Sequence, residues 1–243
     1  MPTTKARPDY GLDAPGIIRL FLILGVGLFL LGWFLPRIQL GPVIFITRPM
    51  GEVAGPAFFL QGLLMILYSR YGKFRHRDRM LALVDWKGNE SVLDVGTGRG
   101  LMMIGAAKKL ATGKSTGIDI WSAKDLSGNS MENTLHNADL EGVRDRVQVR
   151  NGDATALDFP DNTFDVILSN LCLHNIPGKP NRDQACREIV RVLKPGGKAV
   201  ISDFKSTAAY ARAFRAAGAI ATRRTPNWLT TFPALTIVEV EKK

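Results

Sequence analysis

An aspartate stands just ahead of a glycine-rich turn in Asp94-Val95-Gly96-Thr97-Gly98-Arg99-Gly100, after the apolar run SVLDVG (91–96) and before a helical stretch from Leu101. Glycines at such a turn permit positive φ and let a ligand approach the backbone closely. In open α/β sheets that strand end is where ligands bind. A dinucleotide fingerprint, G-x-G-x-x-G, fits Gly96 and Gly98, but its third position is Leu101. Asp94 would repel a pyrophosphate and attract a cation, so the residues point to a positively charged ligand.

Three further pieces follow along the chain. Gly117-Ile118-Asp119-Ile120-Trp121 closes a second strand, Gly152-Asp153-Ala154 precedes LDFPDNTFDVILSN, and Arg191-Val192-Leu193-Lys194-Pro195-Gly196-Gly197 precedes a later strand. Together with D-x-G-x-G-x-G, these pieces resemble the motifs of class I S-adenosylmethionine-dependent methyltransferases, in particular the small-molecule type that includes ubiquinone and sterol methyltransferases. The cofactor of that family carries a sulfonium and an α-ammonium, which agrees with the charge argument. The resemblance covers about 77–243. It implies that Asp94, Gly96, Thr97, Gly98 and Gly100 form the first cofactor loop and that Asp119 accepts bonds from the ribose hydroxyls. It also implies that Ile120 and Trp121 lie beside the adenine, that Asp153 takes the adenine amino group, and that the Ala154 N–H meets the ring. The family usually shows Ser-Pro after the ribose acid, whereas this chain reads Trp121-Ser122-Ala123.

Methyl transfer from a sulfonium is an in-line displacement that mainly needs aligned, dehydrated reactants, so no universal catalytic residue is expected. The segment Ser169-Asn170-Leu171-Cys172-Leu173-His174-Asn175 follows the fourth strand and would face the methyl group. The Asn170 and Leu171 backbone would hold the methionine part of the cofactor. His174 would take a proton from an acceptor hydroxyl or amine; a capping or packing role is the competing reading. Cys172, His174 and Cys186 lack a fourth ligand and a zinc spacing, so no metal is expected.

These residues need a scaffold, and the chain supplies alternating strands and helices. After a lead-in helix in RDRMLALVDW (77–86) come strand candidates at 91–96, 115–120, 146–150, 164–170 and 198–204, then a helix at about 207–217 and strands at 219–224 and 234–240 joined by a short loop. That pattern predicts an α/β, doubly wound, mostly parallel seven-stranded Rossmann-like sheet with an antiparallel last strand.

Ahead of it lie two apolar runs, Ile17–Leu35 and Val53–Ser69, the first with the single charge Arg19 and the second with none. At about 1.5 Å per residue they reach roughly 28 and 25 Å as helices, near one hydrocarbon thickness. The expected organisation is a flexible lead (1–15), a membrane hairpin (16–70) and a methyltransferase domain (77–243). Arg70, Lys73, Arg75, Arg77 and Arg79 follow the second run, which by the positive-inside rule puts the later domain on the cytoplasmic side of the cell membrane. A cleaved signal peptide fits poorly, since Pro36-Arg37 follows the first run. A buried helix for the second run, or an apolar cap over the domain formed by both, stays open.

Composition agrees with a folded chain: 243 residues, 46% hydrophobic and 22% charged, exclude wholesale disorder. Two Cys with no C-x-x-C point to a reducing compartment. The net charge of +10 is uneven, with 10 Lys and Arg against 4 Asp and Glu in residues 1–80, and 22 against 18 in the rest. The excess thus lies beside the apolar runs, which favours a lipid surface over nucleic acid. The expected function is methylation of a small apolar or lipid-like acceptor. The rivals are a methyltransferase acting on nucleic acid or protein, and a non-catalytic cofactor-binding membrane protein.

Overall fold

The computed structural model describes residues 6–243, and the chain divides into two compact units. One comprises Leu12–Gly72 with Lys124–Ser127; the other comprises the residues up to Gly11, Lys73–Ala123 and Gly128–Lys243.

The first unit is built on α1 (Pro15–Phe34) and α2 (Gly55–Leu67), with β1 (Arg37–Leu40) and β2 (Val43–Ile46) between them. Glycines bring the two helices into backbone contact. A Cβ on Gly32 would lie 2.6 Å from Gly51 Cα, one on Gly25 would lie 2.7 Å from Phe59 N, and one on Gly55 would lie 2.9 Å from Phe29 N. Small residues at a helix contact are the usual device for close packing where hydrophobicity alone gives no preference between neighbours. The outward faces carry Ile23, Trp33, Phe34 and Val53, all well exposed, and only 17% of each apolar stretch is buried. The β1–β2 hairpin is absent from the sequence expectation. It forms because Gly41 supplies φ +60 between runs rich in β-branched residues.

The second helix also departs from the expectation of a span at 53–69 and a separate lead-in helix. Helix runs without interruption from Met50 to Leu81, through wide turns at Met50–Ala54 and Tyr68–Gly72 that each absorb an extra residue. Its last part, α3 (Lys73–Leu81), stops five residues short of Trp86, whose indole N–H donates to the Leu81 carbonyl.

In the second unit, β3 (Ser91–Val95), α4 (Leu101–Ala107), β4 (Lys114–Asp119), α5 (Met131–Leu140), β5 (Val147–Asn151), β6 (Phe164–Asn170), α6 (Lys179–Val192), β7 (Leu193–Asp203), α7 (Thr207–Ala216), β8 (Ala219–Arg223) and β9 (Thr236–Lys242) form one seven-stranded sheet with flanking helices. Its order is β5-β4-β3-β6-β7-β9-β8, and β9 is antiparallel to both neighbours while β3 to β7 run parallel. Alternate residues of the central strands feed opposite cores. Leu93, Ile167 and Ile201 pack with Ile189, Tyr210 and Phe214 on one face, while Val92, Leu168 and Val200 pack with Met80, Met102 and Ala106 on the other. The chain leaves β3 toward β4 and returns to β6 on its other side, so the crevice at the tips of β3 and β6 is the sheet's switch point.

Two boundaries move. β7 begins at Leu193 rather than 198, because the Leu-Lys-Pro-Gly-Gly stretch already pairs Leu193 with Phe164 across a bulge. The connection from Arg223 to Thr236 is longer than the short loop expected. The lead also changes: residues 1–5 lie outside the described residues, but Tyr10 is buried against Phe74, and Lys73 Nζ donates to the Tyr10 and Gly11 carbonyls at 2.7 and 2.6 Å. A buried aromatic ring and a capped ammonium pin this part of the lead.

The glycine contact can be tested in detergent on the full chain. Gly32→Leu should lower the melting midpoint by about 5 °C, since overpacking costs about 1–3 kcal/mol. Gly27→Leu should not lower it, because a Cβ at Gly27 meets nothing within 4 Å.

Candidate functional site

Five neighbouring strand tips converge on the crevice. Asp94 pairs in register with Gly117 and Leu168, Asp119 with Asn151, and Asn170 with Ser202. Beyond β3 the loop turns through Gly96, Gly98 and Gly100 at φ +74, +54 and +87. Gly96 is required twice over, since a Cβ there would also lie 2.3 Å from Cys172 Sγ in the loop after β6.

Asp94 is fully buried beneath this loop. Its Oδ2 accepts from Thr97 Oγ1 at 2.8 Å and from Met103 N at 2.9 Å, while its Oδ1 is buried without a partner. Burial raises the carboxyl to about 7, against the lowering pull of those two bonds, and the Asp119 charge adds to the rise. Asn170 Oδ1 is a second buried acceptor without a partner. Two unmet acceptors beside a glycine cradle suit a ligand that brings positive charge and N–H donors.

Asp119 holds the loop from the next strand. Its Oδ2 accepts from Gly98 N at 2.8 Å, and its Oδ1 accepts from Trp121 N at 2.7 Å and Asn129 Nδ2 at 3.2 Å. A carboxylate has about four lone-pair sites, so capacity for a hydroxyl donor remains. Ile120 is 72% exposed directly after it, an apolar platform of the size an aromatic base covers. Trp121 adopts φ +61, and its indole N–H donates to Asn151 Oδ1 at 2.6 Å, which fixes the ring toward β5. Asp153 reaches the same edge through Gly152, whose N–H donates to the Asp119 carbonyl at 3.1 Å. Its Oδ1 accepts from Thr155 N and Oγ1, both at 2.8 Å, while Ala154 is buried in the core behind it.

On the other side, Leu171 takes φ +55 and donates its N–H to the Ser202 carbonyl at 2.9 Å. A bulky residue in the left-handed region is a strained element, and this one turns the chain so that His174 returns to β7. His174 N donates to Asp203 Oδ2 at 3.1 Å, and its Nδ1 lies 2.9 Å from Asp203 Oδ1. The ring meets Phe204 edge-on at 4.7 Å between centroids. Asp203 is fully buried and also accepts from Phe204 N at 2.8 Å and Tyr210 Oη at 3.3 Å. Beneath it, His76 Nε2 lies 2.7 Å from Ser202 Oγ; burial, with the Arg79 charge, lowers that imidazole to about 4.

The residues expected from the sequence therefore meet at one edge: Asp94, Gly96, Thr97, Gly98 and Gly100 in the loop, Asp119 to Trp121 and Asp153 to its β4–β5 side, Asn170, Leu171 and His174 to its β6 side. Asp203, Ser202 and His76 were not expected. Asp203 sits in Ser-Asp-Phe at a predicted strand end, a signal that could have marked it; His76 is in a basic helix and carried none. Cys186 is in the core with its thiol pushed up to about 12 by burial, and Cys172 is covered by Gly96 with its thiol also pushed up. Among the described residues no three His, Cys, Asp or Glu side chains are grouped to hold a metal ion.

Asp94 gives the site a pH signature. The carboxyl is half neutral at about 7, and only its ionised form attracts a cation, so affinity for S-adenosylmethionine should weaken about tenfold as pH falls from 8 to 6. Asp94→Asn should remove both that slope and at least about tenfold of the affinity, as calorimetric titration would show.

Residues 93–201 match the methyltransferase domain family. Demethylmenaquinone methyltransferase of Lactiplantibacillus plantarum is 37% identical over 131 residues, 53% of this chain and 52% of that protein. The ubiquinone/menaquinone biosynthesis C-methyltransferase of Roseobacter denitrificans is 30% identical over 170 residues, 66% of this chain and 63% of that protein. The chain thus spans about half to five-eighths of the curated relatives it matches. A geranyl diphosphate methyltransferase solved in complex with S-adenosylmethionine superposes with a TM-score of 0.58 at 15% identity, over 70% of this chain and 85% of that one, a likeness of fold. Buried Asp94 under its glycine loop and Asp119 on the next strand both lie within residues 93–201, the stretch that matches the methyltransferase domain family.

Proposed function

We propose that the protein is an S-adenosylmethionine-dependent methyltransferase held at the cytoplasmic face of the cell membrane by residues 16–70, and that it methylates a small apolar or lipid-like acceptor. The observation that carries the anchor is the 17% burial of two long apolar helices, far below what a core helix needs. In water their outer faces would leave an apolar patch that soluble monomers rarely expose. Glycine-mediated contact and the cationic stretch after the second helix support the same reading. A membrane-tethered enzyme gains encounter rate with a membrane-dissolved acceptor and gains nothing with a water-soluble one. The quinone-methylating relatives named above favour an acceptor of that kind.

S-adenosylmethionine supplies an electrophilic methyl group on a sulfonium. Asp94 and Asn170 would take up its positive amino-acid end through their unmet oxygens, and Asp119 would accept from the ribose. Asp153 and Ile120 would flank the adenine. The chain's contribution to the displacement is alignment and exclusion of water. His174 would hold the proton released by the acceptor. Asp203 Oδ1, 2.9 Å from Nδ1, would orient the ring so that Nε2 faces the acceptor.

His174→Gln should lower kcat by about 10²–10⁴ with cofactor affinity unchanged, and Asp203→Asn should follow in the same direction. Incubation of the full chain with membrane lipid extract and methyl-labelled cofactor should place label in the lipid fraction. Label confined to protein or RNA would contradict the acceptor class.

A further inference from the structure

The catalytic unit carries its own positive excess in one place. Residues 204–235 contain five Lys and Arg and no Asp or Glu, whereas the rest of residues 81–243 hold 17 Lys and Arg against 18 Asp and Glu. Within that segment Lys205 and Arg223 line a cavity of about 320 Å³, together with Phe204, Pro226, Trp228 and Ala234. Neither cation has a carboxylate within ion-pair distance among the described residues, while Arg224 is paired with Glu239 and Arg215 donates to the Ala221 carbonyl. The loop between β8 and β9 presents Trp228 at 77% exposure and Leu229 at 96%.

That exposure is built. Asn227 is buried, and its Oδ1 accepts from Leu229 N and Thr230 N at 3.2 Å each, while its own N–H donates to the Leu235 carbonyl at 2.9 Å. Thr231 is also buried and accepts from Leu235 N at 3.0 Å. The polar anchors point inward, so the two large apolar side chains at the tip are held outward at a cost in solvation. Tryptophan beside unpaired cations is the composition of a surface that sits at lipid headgroups, with the indole at the interface and the cations drawn to anionic lipid.

We propose that residues 204–235 are an interfacial docking face, by which the catalytic unit settles on an anionic bilayer with Trp228 and Leu229 inserted and Lys205 and Arg223 at the phosphates. The cavity opens within that face, and Phe204 forms part of its wall while touching His174. A lipid-like acceptor would then enter from the bilayer beside His174 without crossing water. The proposal rests on the lipid-acceptor reading given above and adds the surface through which the acceptor arrives.

The test uses the full chain in bilayers of brominated phosphatidylcholine, with and without phosphatidylglycerol. The tryptophans are Trp33, Trp86, Trp121 and Trp228, so comparison with Trp228→Phe isolates the loop and comparison with Trp33→Phe isolates the helical hairpin. The expected result is quenching of Trp228 that requires phosphatidylglycerol and falls by about half or more in the Lys205→Gln, Arg223→Gln double variant. Equal quenching of wild type and Trp228→Phe in the anionic bilayer overturns the docking face, even where Trp33 is quenched and the hairpin anchor stands. Quenching of Trp228 without Trp33 supports the face and removes the anchor. A Trp228 signal that responds instead to added RNA or to protein concentration, with no lipid quenching, assigns the surface to those partners and overturns the proposal.

Discussion

A single desolvated carboxylate governs the catalytic unit. Asp94 lies at the tip of the central strand with one oxygen spent on holding the loop and the other left without a partner. Burial makes its ionised form costly, and the folded protein sustains the group there because the switch point of the sheet leaves it facing a crevice. With its folded value raised to about 7 from an ordinary 3.8, this group contributes stability fully below the ordinary value and loses it as pH rises through about 7. A bound cation returns that loss. The surrounding geometry follows from the same constraint: Thr97 and Met103 secure Oδ2, Asp119 secures Gly98 from the next strand, and Gly96 admits Cys172.

The two units solve different packing problems. The sheet buries both faces against helices, with aliphatic residues alternating between two cores. The helical hairpin instead buries little beyond its glycine seam and turns its large side chains outward. Soluble monomers rarely expose so large an apolar surface. The docking face proposed for residues 204–235 extends that logic to the catalytic unit, where two apolar side chains at a rigid loop tip are exposed at an energetic cost.

Much of this was legible in the sequence. Strand tips at Asp94, Asp119, Asp153 and Asn170 could be placed because apolar runs end in glycine or acidic residues there, and local signals suffice for that. What escaped depended on contacts distant in sequence. Asp203 acquires a role only when the loop through Leu171 returns His174 to β7, and His76 only when α3 packs beneath Ser202. The β1–β2 hairpin was hidden because its strands are only four residues each, too short for an alternating pattern to stand out between the helices. The early start of β7 was hidden by a Pro-Gly-Gly stretch that reads as a turn, yet the strand there continues through a bulge. Residues 9–11 read as a free lead, since nothing local reveals that Asp9 meets Arg99 and Asn137.

The claim on which the account rests is that a cation is recognised by the unpaired oxygen of Asp94. Calorimetry of S-adenosylmethionine binding at pH 6, in buffers of differing ionisation enthalpy, measures this directly. The account predicts release of about one proton per cofactor bound, and none in Asp94→Asn, because at pH 6 the carboxyl is mostly neutral and the cation drives it to its ionised form. Binding with no proton exchange, or with the same exchange after that substitution, would contradict it.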